Sequence, residues 1–496
     1  MALIDKPFPP GDYGVVVVGS GPGGLQSSYS LRALGVPHAV LSADEEPGGM
    51  FRRFPVFERL ITWTKPDAPF ERGTREYEWY DHNSLLAAEP EARALVPTFM
   101  DRTFSVPSRP EMESGLRAYA ERTGLEIRYG CRWEATRRED DGLVLITSDG
   151  EYRCRAAVFA VGVTEPWKAP IPGIEEAPHY TETGEPSRYQ GQRVFIIGKR
   201  NSGFEVATGL LPWASQLFLA SPRPVDTAVL GRLPVRVRYL EPLDEYARGG
   251  AGAFVVDAAI ERVERTEAGF RIVTRGTTWP GDLIFEAEHV LVATGFRTPL
   301  LDLPTHGLAT VADGRIPALT PFWESVSMPG VYFAGNTSQG SPGLRKQGLA
   351  SNSTSVNGFR YNAAVLAQHL AESLFGITVE RRRLEPAEVV PYLLSELARA
   401  PELWVQKGYL ARVLTFGDDI RDEGIVPLEH FVDEAGPDAV AVAVEMDTGA
   451  TIYPAVYVRS SGRLVERALP PHPTHAFESE EYRRELASVL GGLVQA

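Results

Sequence analysis

The sequence contains few cysteines. Only Cys131 and Cys154 occur among its 496 residues, and no C-x-x-C or C-x-x-x-x-C pair is present. A redox-active disulfide between neighbouring cysteines is therefore excluded. Both thiols are expected to be small buried apolar groups and not reactive ones.

The sequence also lacks a long apolar run and an excess of positive charge. No segment reaches the roughly 18 consecutive apolar residues that a membrane span needs. The first residues, MALIDKPFPPGDYG, have neither the basic nor the apolar part of a secretory signal, which predicts a cytoplasmic protein. The net charge of −15 argues against nucleic acid or an anionic membrane as a partner. We also expect no metal site.

A glycine-rich segment near the N-terminus is the clearest motif that is present. Four valines at positions 15–18 are typical of a buried strand of a parallel sheet, and the sequence GSGPGG follows at once. Gly19 allows the tight turn, Gly21 lets the backbone approach a pyrophosphate, and Gly24 lets the following helix pack on the strand. The amides at the start of that helix face the phosphate charge. The pattern predicts a dinucleotide site.

Residues after the second predicted strand extend this site. The strand PHAVLS at 37–42 is followed by Asp44 and Glu45, and an acid at this place bonds the ribose hydroxyls of a dinucleotide. The glycine pair that follows allows the backbone to run close to a flat ring system. We therefore expect cofactor contacts from Asp44, Gly49, Met50 and Phe51.

A second strand-turn-helix motif begins with VFIIG and ends its turn at Gly203. Arg200 stands where the middle glycine is expected, so it either crowds the pyrophosphate or binds phosphate through its guanidinium group. The next strand, QLFLA, is followed by Arg223 and not by an acid, which favours NADPH over NADH because arginine accommodates a 2′-phosphate. The predicted nucleotide contacts are Gly198, Arg200, Asn201, Ser202, Gly203 and Arg223.

Two further buried strands end in glycine. HVLVATG at 289–295 is expected to return the chain to the first sheet, and VYFAGN at 331–336 is expected to be another strand of that kind. A glycine-rich loop and a long helix, 358–374, follow. A flavin ring edge and ribityl chain are expected to meet backbone amides at Gly335, Asn336 and Gly348.

These motifs predict an α/β fold with two Rossmann-like dinucleotide-binding domains, the second inserted in the first, plus a C-terminal α+β extension. The predicted boundaries are 1–165 and 289–377 for the two parts of the first domain, 166–288 for the second, and 378–496 for the extension. In the extension we expect a helix at 381–400 and strands at LEHFV and VAVAVEM. The extension is either an appended domain, such as a lid, or the interface of a homodimer.

With both motifs in hand, the chain resembles the flavoproteins that have two dinucleotide-binding domains. Within them it is most similar to the flavin-containing (class B) monooxygenases. The segment from His179 to Gly198 is similar to their FHSxxY stretch, Pro107 to Glu111 to their FPSxxE helix start, and Ala293 to Phe296 to their ATGY. The segments FRRFPVFERLITWTK and YDHNSLL resemble the branch named FAD-dependent oxidoreductase domain-containing protein 2.

The chain also departs from this group. The asparagine that these monooxygenases place near flavin N5 has no clear match, since Thr62 and Thr64 lie in that neighbourhood. The Baeyer–Villiger fingerprint that ends in His-x-x-x-Trp-Pro is absent after His179, which argues against ester-forming chemistry.

The resemblance implies an enzyme that uses FAD and NADPH. NADPH delivers hydride to the flavin, oxygen adds at flavin C4a, and the distal oxygen passes to nitrogen or sulfur of a small substrate such as an amino acid, which is thereby N-hydroxylated. The candidate catalytic residues are Thr64, Lys65, Asn336 and Gln347. A substrate carboxylate is expected to bind Lys65, Arg345 and Lys346.

Two alternatives stay open at this point. The first is an NAD(P)H-dependent flavin oxidoreductase or oxidase without oxygen transfer, which the missing asparagine allows. The second is a flavin-binding accessory protein with a degenerate NADPH site, whose C-terminal region binds a partner.

Overall fold

The chain forms two compact units, each built from separate segments of the sequence. The computed structural model describes residues 6–139, 142–227, 235–249 and 252–493. Unit 1 comprises Met1–Arg52, Thr62–Val163 and Thr298–Ala496, and unit 2 comprises Arg53–Ile61 and Thr164–Arg297. Unit 2 is therefore inserted in unit 1.

The N-terminal part of unit 1 is a parallel sheet extended by an antiparallel hairpin. Its elements are β1 (Gly11–Val18), α1 (Pro22–Ala33), β2 (His38–Ser42), α2 (Val96–Phe99), α3 (Arg109–Arg122), β3 (Arg128–Tyr129), β4 (Trp133–Glu139), β5 (Gly142–Thr147) and β6 (Gly150–Phe159). The strand order is β3-β2-β1-β6-β5-β4. Strand β1 pairs in parallel with β2 and β6, so its valines at 15–17 are fully buried. The helix α3 begins with a capping box, because Ser108 Oγ accepts from the Glu111 amide and Glu111 accepts from the Ser108 amide.

Unit 2 contains the second parallel sheet. Its elements are β7 (Glu165–Pro166), β8 (Arg193–Ile197), α4 (Asn201–Leu210), β9 (Gln216–Ser221), α5 (Val237–Arg248), β10 (Ala253–Thr266), β11 (Gly269–Gly276), β12 (Asp282–Ala287), β13 (His289–Val292) and β14 (Phe296–Arg297). The six-stranded sheet has the order β12-β11-β10-β9-β8-β13. Strands β10, β9, β8 and β13 are parallel, whereas β11 and β12 continue as an antiparallel meander.

The expected return of the chain to the first sheet at His289 is wrong. Strand β13 pairs in parallel with β8 in the sheet of unit 2, with Leu291 opposite Ile196. A short run of buried apolar residues looks the same in either sheet, so the sequence did not identify its partner strand. The chain re-enters unit 1 at Thr298.

Unit 1 continues with β15 (Thr310–Val311), β16 (Ile316–Pro317), β17 (Val331–Phe333) and α6 (Val356–Phe375). Strand β17 joins the first sheet by pairing in parallel with β6, with Val331 opposite Ala157. The helix α6 packs along α1. The VYFAGN segment therefore lies beside the strand that precedes the crossing into unit 2.

The C-terminal extension is part of unit 1. Its elements are β18 (Arg382–Leu384), α7 (Pro386–Arg399), α8 (Pro401–Val405), β19 (Leu410–Phe416), β20 (Ile420–Pro427), α9 (Leu428–Asp433), β21 (Ala439–Met446), β22 (Ile452–Ser460), β23 (Arg463–Ala468) and α10 (Glu480–Leu490). The strands form one antiparallel sheet with the order β18-β20-β19-β21-β22-β23.

The central strand β21 has a different core on each of its faces. Its valines at 440, 442 and 444 pack with residues of α7 and α10, and its alanines at 439, 441 and 443 pack with residues of α9. The VAVAVEM strand is confirmed. The predicted helix at 381–400 is confirmed for Pro386–Arg399 and wrong at its start, because Arg382–Leu384 form β18, which pairs with β20. The predicted LEHFV strand is wrong, because Leu428 and Phe431 are buried three residues apart, which is the spacing of a helix face.

Candidate functional site

The first glycine turn has no room for side chains at its two ends. Gly19 has φ of 116°, and Gly24 lies so close to it that a Cβ atom would be 1.9 Å from the Gly19 carbonyl oxygen. At Gly21, in contrast, the one atom within 4 Å of an added Cβ is the Gly49 Cα, at 3.7 Å. Gly21 caps α1, so open space lies beside the amide end of this helix. A phosphate fits such a place.

Two other loops of unit 1 meet this turn. A Cβ on Gly49 would lie 2.8 Å from the Gly21 Cα, and a Cβ on Gly23 would lie 2.5 Å from the Gly335 Cα. The amide of Gly48 donates to the Ser20 carbonyl oxygen at 3.0 Å. Backbone from residues 19–24, 48–52 and 334–340 therefore forms one cradle, whose segments meet at glycines. The residues present fit the pyrophosphate and ring system of FAD.

The other predicted flavin contacts differ in their surroundings. Ser42, at the end of β2, is buried, and its hydroxyl is 2.8 Å from that of Ser20. Asp44 follows and is half-buried, with its amide donating to Ser42 Oγ at 3.2 Å. The structure places Met50 and Phe51 in the short 3₁₀ helix Gly49–Arg52, and Asn336 accepts from the Val163 amide at 3.0 Å. Gly348, with φ of 68°, has open space around an added Cβ.

The second glycine turn, in unit 2, repeats the crowding of the first. Gly198 has φ of 126°, and a Cβ on Gly203 would lie 2.3 Å from the Gly198 carbonyl oxygen. Arg200 takes the N-cap position of α4, the position that Gly21 has at α1. Asn201 Oδ1 accepts from the Arg236 amide at 3.0 Å. Ser202 is the second residue of α4, half-buried.

Two charged residues near this turn differ in their exposure. Lys199 is buried, and its ammonium group forms an ion pair with Asp257 of β10. Its charge is therefore compensated within the protein. Arg223 lies two residues after the end of β9 and is exposed. Of these two cations, Arg223 is the one whose position suits a ligand in solution.

The candidate catalytic residues Thr64 and Lys65 differ in their exposure and contacts. Thr64 is fully buried, donates to Asp81 Oδ1 at 3.0 Å and accepts from Asn83 Nδ2 at 2.9 Å. Lys65 is exposed, with Nζ 5.9 Å from the centroid of the Tyr80 ring. The structure thus argues against Thr64 as a group that touches substrate, because both its hydrogen bonds are made inside the protein.

Gln347 and the two cations before it lie in the loop that follows Gly340. Lys346 Nζ contacts Glu445, at 3.1 and 3.0 Å, and also Glu466 and Tyr457. Two carboxylates compensate its charge, which argues against the expected role of Lys346 in binding a substrate carboxylate. Arg345 is exposed.

Sequence reasoning missed the contribution of the C-terminal extension to this loop. Gln347 Nε2 donates to Tyr453 OH at 3.4 Å, and Tyr453 OH in turn donates to Glu445 Oε2 at 3.0 Å. These residues belong to β21 and β22, more than 90 positions further along the chain. No motif marks them, so no signal in the sequence connects them with the loop.

His179, which the family resemblance singled out, is a buried structural residue. Its Nε2 lies 3.1 Å from the Gly295 carbonyl oxygen, and its Nδ1 lies 3.1 Å from Thr181 Oγ1. Burial lowers the pKa of its imidazole below the ordinary value. The ring therefore joins the segment before β8 to the ATG turn after β13.

The two cysteines are free thiols and are buried. Burial raises the pKa of Cys131 to about 11 and that of Cys154 to about 12, so neither forms a thiolate at neutral pH.

Across the described ranges, no group of three or more His, Cys, Asp or Glu residues is arranged to hold a metal ion. In the same part of the chain, no helix is both long and apolar enough to cross a membrane. The cytoplasmic location and the homodimer stay predictions.

Comparison with known proteins gives a family and several relatives. The model of the family described as "Pyridine nucleotide-disulphide oxidoreductase" matches residues 16–335. The chain is 30% identical to FAD-dependent oxidoreductase domain-containing protein 2 of Danio rerio over 221 residues, which are 43% of this chain and 31% of that protein. The chain thus spans about a third of the length of that relative.

The names of two other relatives give different activities. The chain is 27% identical to a ferredoxin–NADP reductase of Salinispora tropica over 377 residues, which are 72% of this chain and 96% of that protein. It is 26% identical to indole-3-pyruvate monooxygenase YUCCA1 of Oryza sativa over 212 residues, 40% of this chain and 45% of that protein. The solved flavin-containing monooxygenase of Stenotrophomonas maltophilia shares the fold, with 21% identity, 73% of this chain and 99% of that chain covered, and a TM-score of 0.55.

Proposed function

This chain belongs to the pyridine nucleotide-disulphide oxidoreductase family, and we propose that it is an FAD- and NADPH-dependent monooxygenase acting on nitrogen or sulfur of a small substrate. Like its relatives, it is an oxidoreductase that uses FAD and NAD(P)H. The observation that carries the proposal is the pair of similar glycine turns, combined with the absence of a C-x-x-C or C-x-x-x-x-C pair from the sequence. Without a disulfide to reduce, electrons from the flavin must pass directly to an external acceptor.

The residues of unit 1 supply the binding of FAD. The amides at the start of α1 and the bare backbone of Gly21 bind its pyrophosphate, and Asp44 bonds its ribose. Gly49 and Gly335 leave room for the flavin beside the backbone. When bound, FAD supplies the chemistry of the reaction, because it accepts a hydride from NADPH and reacts with oxygen.

The residues of unit 2 supply the binding of NADPH. Arg200, at the N-cap of α4, binds the pyrophosphate as a cationic ligand, and Arg223 binds the 2′-phosphate. Lys199 does not take part, because Asp257 compensates its charge. In the overall reaction NADPH supplies two electrons, one oxygen atom of O₂ enters the substrate, and the other leaves as water after taking up protons.

Isotope-labelled oxygen tests this proposal. The FAD-loaded protein is mixed with NADPH, labelled O₂ and a panel of amino acids, amines and thioethers. The expected result is one labelled oxygen atom in an N- or S-oxygenated product for each NADPH consumed. Release of hydrogen peroxide equal to the NADPH consumed, with no substrate in the panel labelled, would contradict the monooxygenase.

A reductase that passes electrons to an external acceptor is the second candidate. The ferredoxin–NADP reductase relative is matched over nearly its whole length. The asparagine that the monooxygenases place near flavin N5 has no clear match in this sequence, and Thr64, in that neighbourhood, makes its side-chain hydrogen bonds to Asp81 and Asn83. If the protein is such a reductase, NADPH oxidation should be fast with an artificial one-electron acceptor, and its rate should not depend on O₂.

A further inference from the structure

A glutamine of the C-terminal extension makes its side-chain hydrogen bonds outside the extension. Gln406 directly follows α8 and is fully buried. Its Nε2 donates to Asn362 Oδ1 at 2.8 Å and to Ser353 Oγ at 3.2 Å, and its Oε1 accepts from the Asn352 amide at 2.7 Å. All three partners belong to α6 or to the loop that precedes it.

These partners continue to the flavin cradle. Asn362 Nδ2 donates to Ser338 Oγ at 3.1 Å, and Ser338 Oγ donates to the Gly335 carbonyl oxygen at 2.6 Å. Gly335 is the residue that lies against Gly23 in the first glycine turn. An unbroken series of hydrogen bonds, all between buried residues, therefore runs from Gln406 to the cradle.

Tyr409, in the same turn, holds the other end of this segment. Its hydroxyl donates to the Ser341 carbonyl oxygen at 3.2 Å and accepts from Trp323 Nε1 at 3.0 Å. A Cβ on Gly343 would lie 2.5 Å from its ring. Through Tyr409, the turn after α8 thus contacts Ser341, the C-cap of the 3₁₀ helix Gly335–Gly340. Through Gln406 and Asn362 it is linked to Ser338 of the same helix.

The geometry points to Gln406 as a positioning residue of the FAD site, through which the C-terminal extension fixes the Gly335–Gly340 helix and the loop before α6. This inference rests on the proposed FAD site. A residue needed only to fill the core does not have to be an amide, because burying an amide is unfavourable unless its hydrogen bonds are made. Here one of those bonds is made to Asn362, which bonds Ser338 of the cradle, and the other two are made to the loop before α6.

The first test replaces Gln406 by methionine, which has a similar length and shape but makes none of these hydrogen bonds. Gln406→Met should raise the Kd for FAD about tenfold, the effect of losing one or two buried hydrogen bonds that order the site. The Kd is measured by reconstituting the apoprotein with FAD, and the unfolding midpoint of the apoprotein is measured beside it. The control is Tyr482→Phe, which removes a partly buried hydrogen bond from the buried residue Tyr482 to the Pro470 carbonyl oxygen within the extension. The control should lower the unfolding midpoint without changing the Kd.

A second variant tests the pH dependence of FAD affinity, which a loss of stability alone does not change. In Gln406→Glu, burial raises the pKa of the introduced carboxyl group. The protonated form donates to Asn362 Oδ1 and accepts from the Asn352 amide, as the amide does, whereas the ionised form has no donor. The FAD affinity of this variant should therefore approach the wild-type value as the pH falls. The neighbouring charged residues, Glu402 and Lys407, are the same in all variants.

The outcomes separate this inference from the proposed function. If Gln406→Met binds FAD as tightly as wild type while its unfolding midpoint falls like that of Tyr482→Phe, Gln406 is only structural and the inference is wrong. An affinity of Gln406→Glu that does not vary with pH also overturns it. If the wild-type protein itself does not bind FAD, the proposed function fails instead.

Discussion

Gly19 and Gly198 are crowded in the same way, although they lie in different units. A Cβ on Gly19 would lie 2.5 Å from the Ala160 carbonyl oxygen, and a Cβ on Gly198 would lie 2.4 Å from that of Ala293. Both turns follow the same strand-turn-helix geometry. The two turns differ at the position two residues after these glycines, where the first turn has Gly21 and the second has Arg200.

The room at Gly21 makes a charge test of the FAD site possible. An added Cβ meets its nearest atom at 3.7 Å, so the fold tolerates a side chain here. Gly21→Glu should raise the Kd for FAD by about a hundredfold or more, because a carboxylate enters the pyrophosphate site. Flavin content after purification and reconstitution with FAD measure this. Gly21→Gln, of equal size but uncharged, should lose much less affinity. A fully flavin-loaded Glu variant would count against the assignment.

Arg223 should determine the preference for NADPH over NADH. Loss of a charge-assisted hydrogen bond of about 1.5 to 3 kcal/mol predicts that Arg223→Ala raises KM for NADPH by about ten- to a hundredfold and leaves KM for NADH unchanged. Steady-state kinetics with both nucleotides measure the effect. The control is Arg248→Ala, an exposed arginine of α5 in the same unit. Equal changes with both nucleotides would exclude the role in 2′-phosphate binding.

The buried pair of Lys199 and Asp257 should stabilise unit 2. Asp257→Asn leaves the Lys199 ammonium group, whose side chain is 1% exposed, without its counter-charge. The expected cost is about 3 kcal/mol of unfolding free energy, measured by urea denaturation. The matched control, Asp244→Asn, removes an exposed ion pair with Arg248 and should cost less than about 0.5 kcal/mol. Similar losses of unfolding free energy in the two variants would mean that the buried ion pair stabilises unit 2 no more than an exposed one does.

Glu205 should make the stability of unit 2 dependent on pH. Burial raises the pKa of its carboxyl group to about 7, although the amide of Phe57 and the charge of Arg238 oppose this. Because the folded-state pKa lies above the unfolded value, the stability is fully present below the unfolded pKa. It is lost as the pH rises toward about 7.

Glu205→Gln tests this dependence, since its Oε1 still accepts from the Phe57 amide. Between about pH 4.5 and pH 7 the wild type should lose up to about 3 kcal/mol that the variant retains. Urea unfolding at several pH values measures it. Glu78 in unit 1, whose pKa burial also raises to about 7, keeps its own contribution in both proteins. Parallel stability profiles of wild type and variant would show that Glu205 does not titrate in this range.

The cysteines should be dispensable for the reaction. In a double variant, Cys131→Ser keeps a donor for Asp149 Oδ1, which accepts from the thiol at 2.9 Å, and Cys154→Ala keeps a small apolar group. Rapid-mixing absorbance should show an unchanged rate of flavin reduction by NADPH, because no disulfide carries electrons. Loss of this reduction in a folded, flavin-loaded double variant would mean that the thiols take part.

The local elements of the fold were predictable from the sequence, whereas their partners often were not. The glycine turns at 19–24 and 198–203 depend on residues next to each other, so strand, turn and helix follow from the pattern. The sheet to which β13 belongs depends on a strand about a hundred residues away. The short segment 53–61 belongs to unit 2 through the contact of Phe57 with Glu205, which no periodicity indicates.

Distant partners also explain why the structure argues against the predicted roles of some individual side chains. Lys346 looks like a free cation in the sequence, and its partners Glu445 and Glu466 come from strands of the extension. Thr64 looks like a polar residue near the flavin, and Asp81 and Asn83 make it a buried structural group. A side chain's availability for a ligand depends on contacts that are distant in the chain.

The pairing of β6 with β17 has a consequence for the synthesis of the protein. Residues 157–159 find their neighbours in 331–333, which leave the ribosome only after the whole segment Thr164–Arg297 has been made. During that interval residues 157–159 of β6 lack their partner on the edge where β5 pairs with residues 150–154, and an open strand edge is prone to wrong association. A nascent chain halted within the inserted segment should therefore depend on chaperones more than the released full-length chain does.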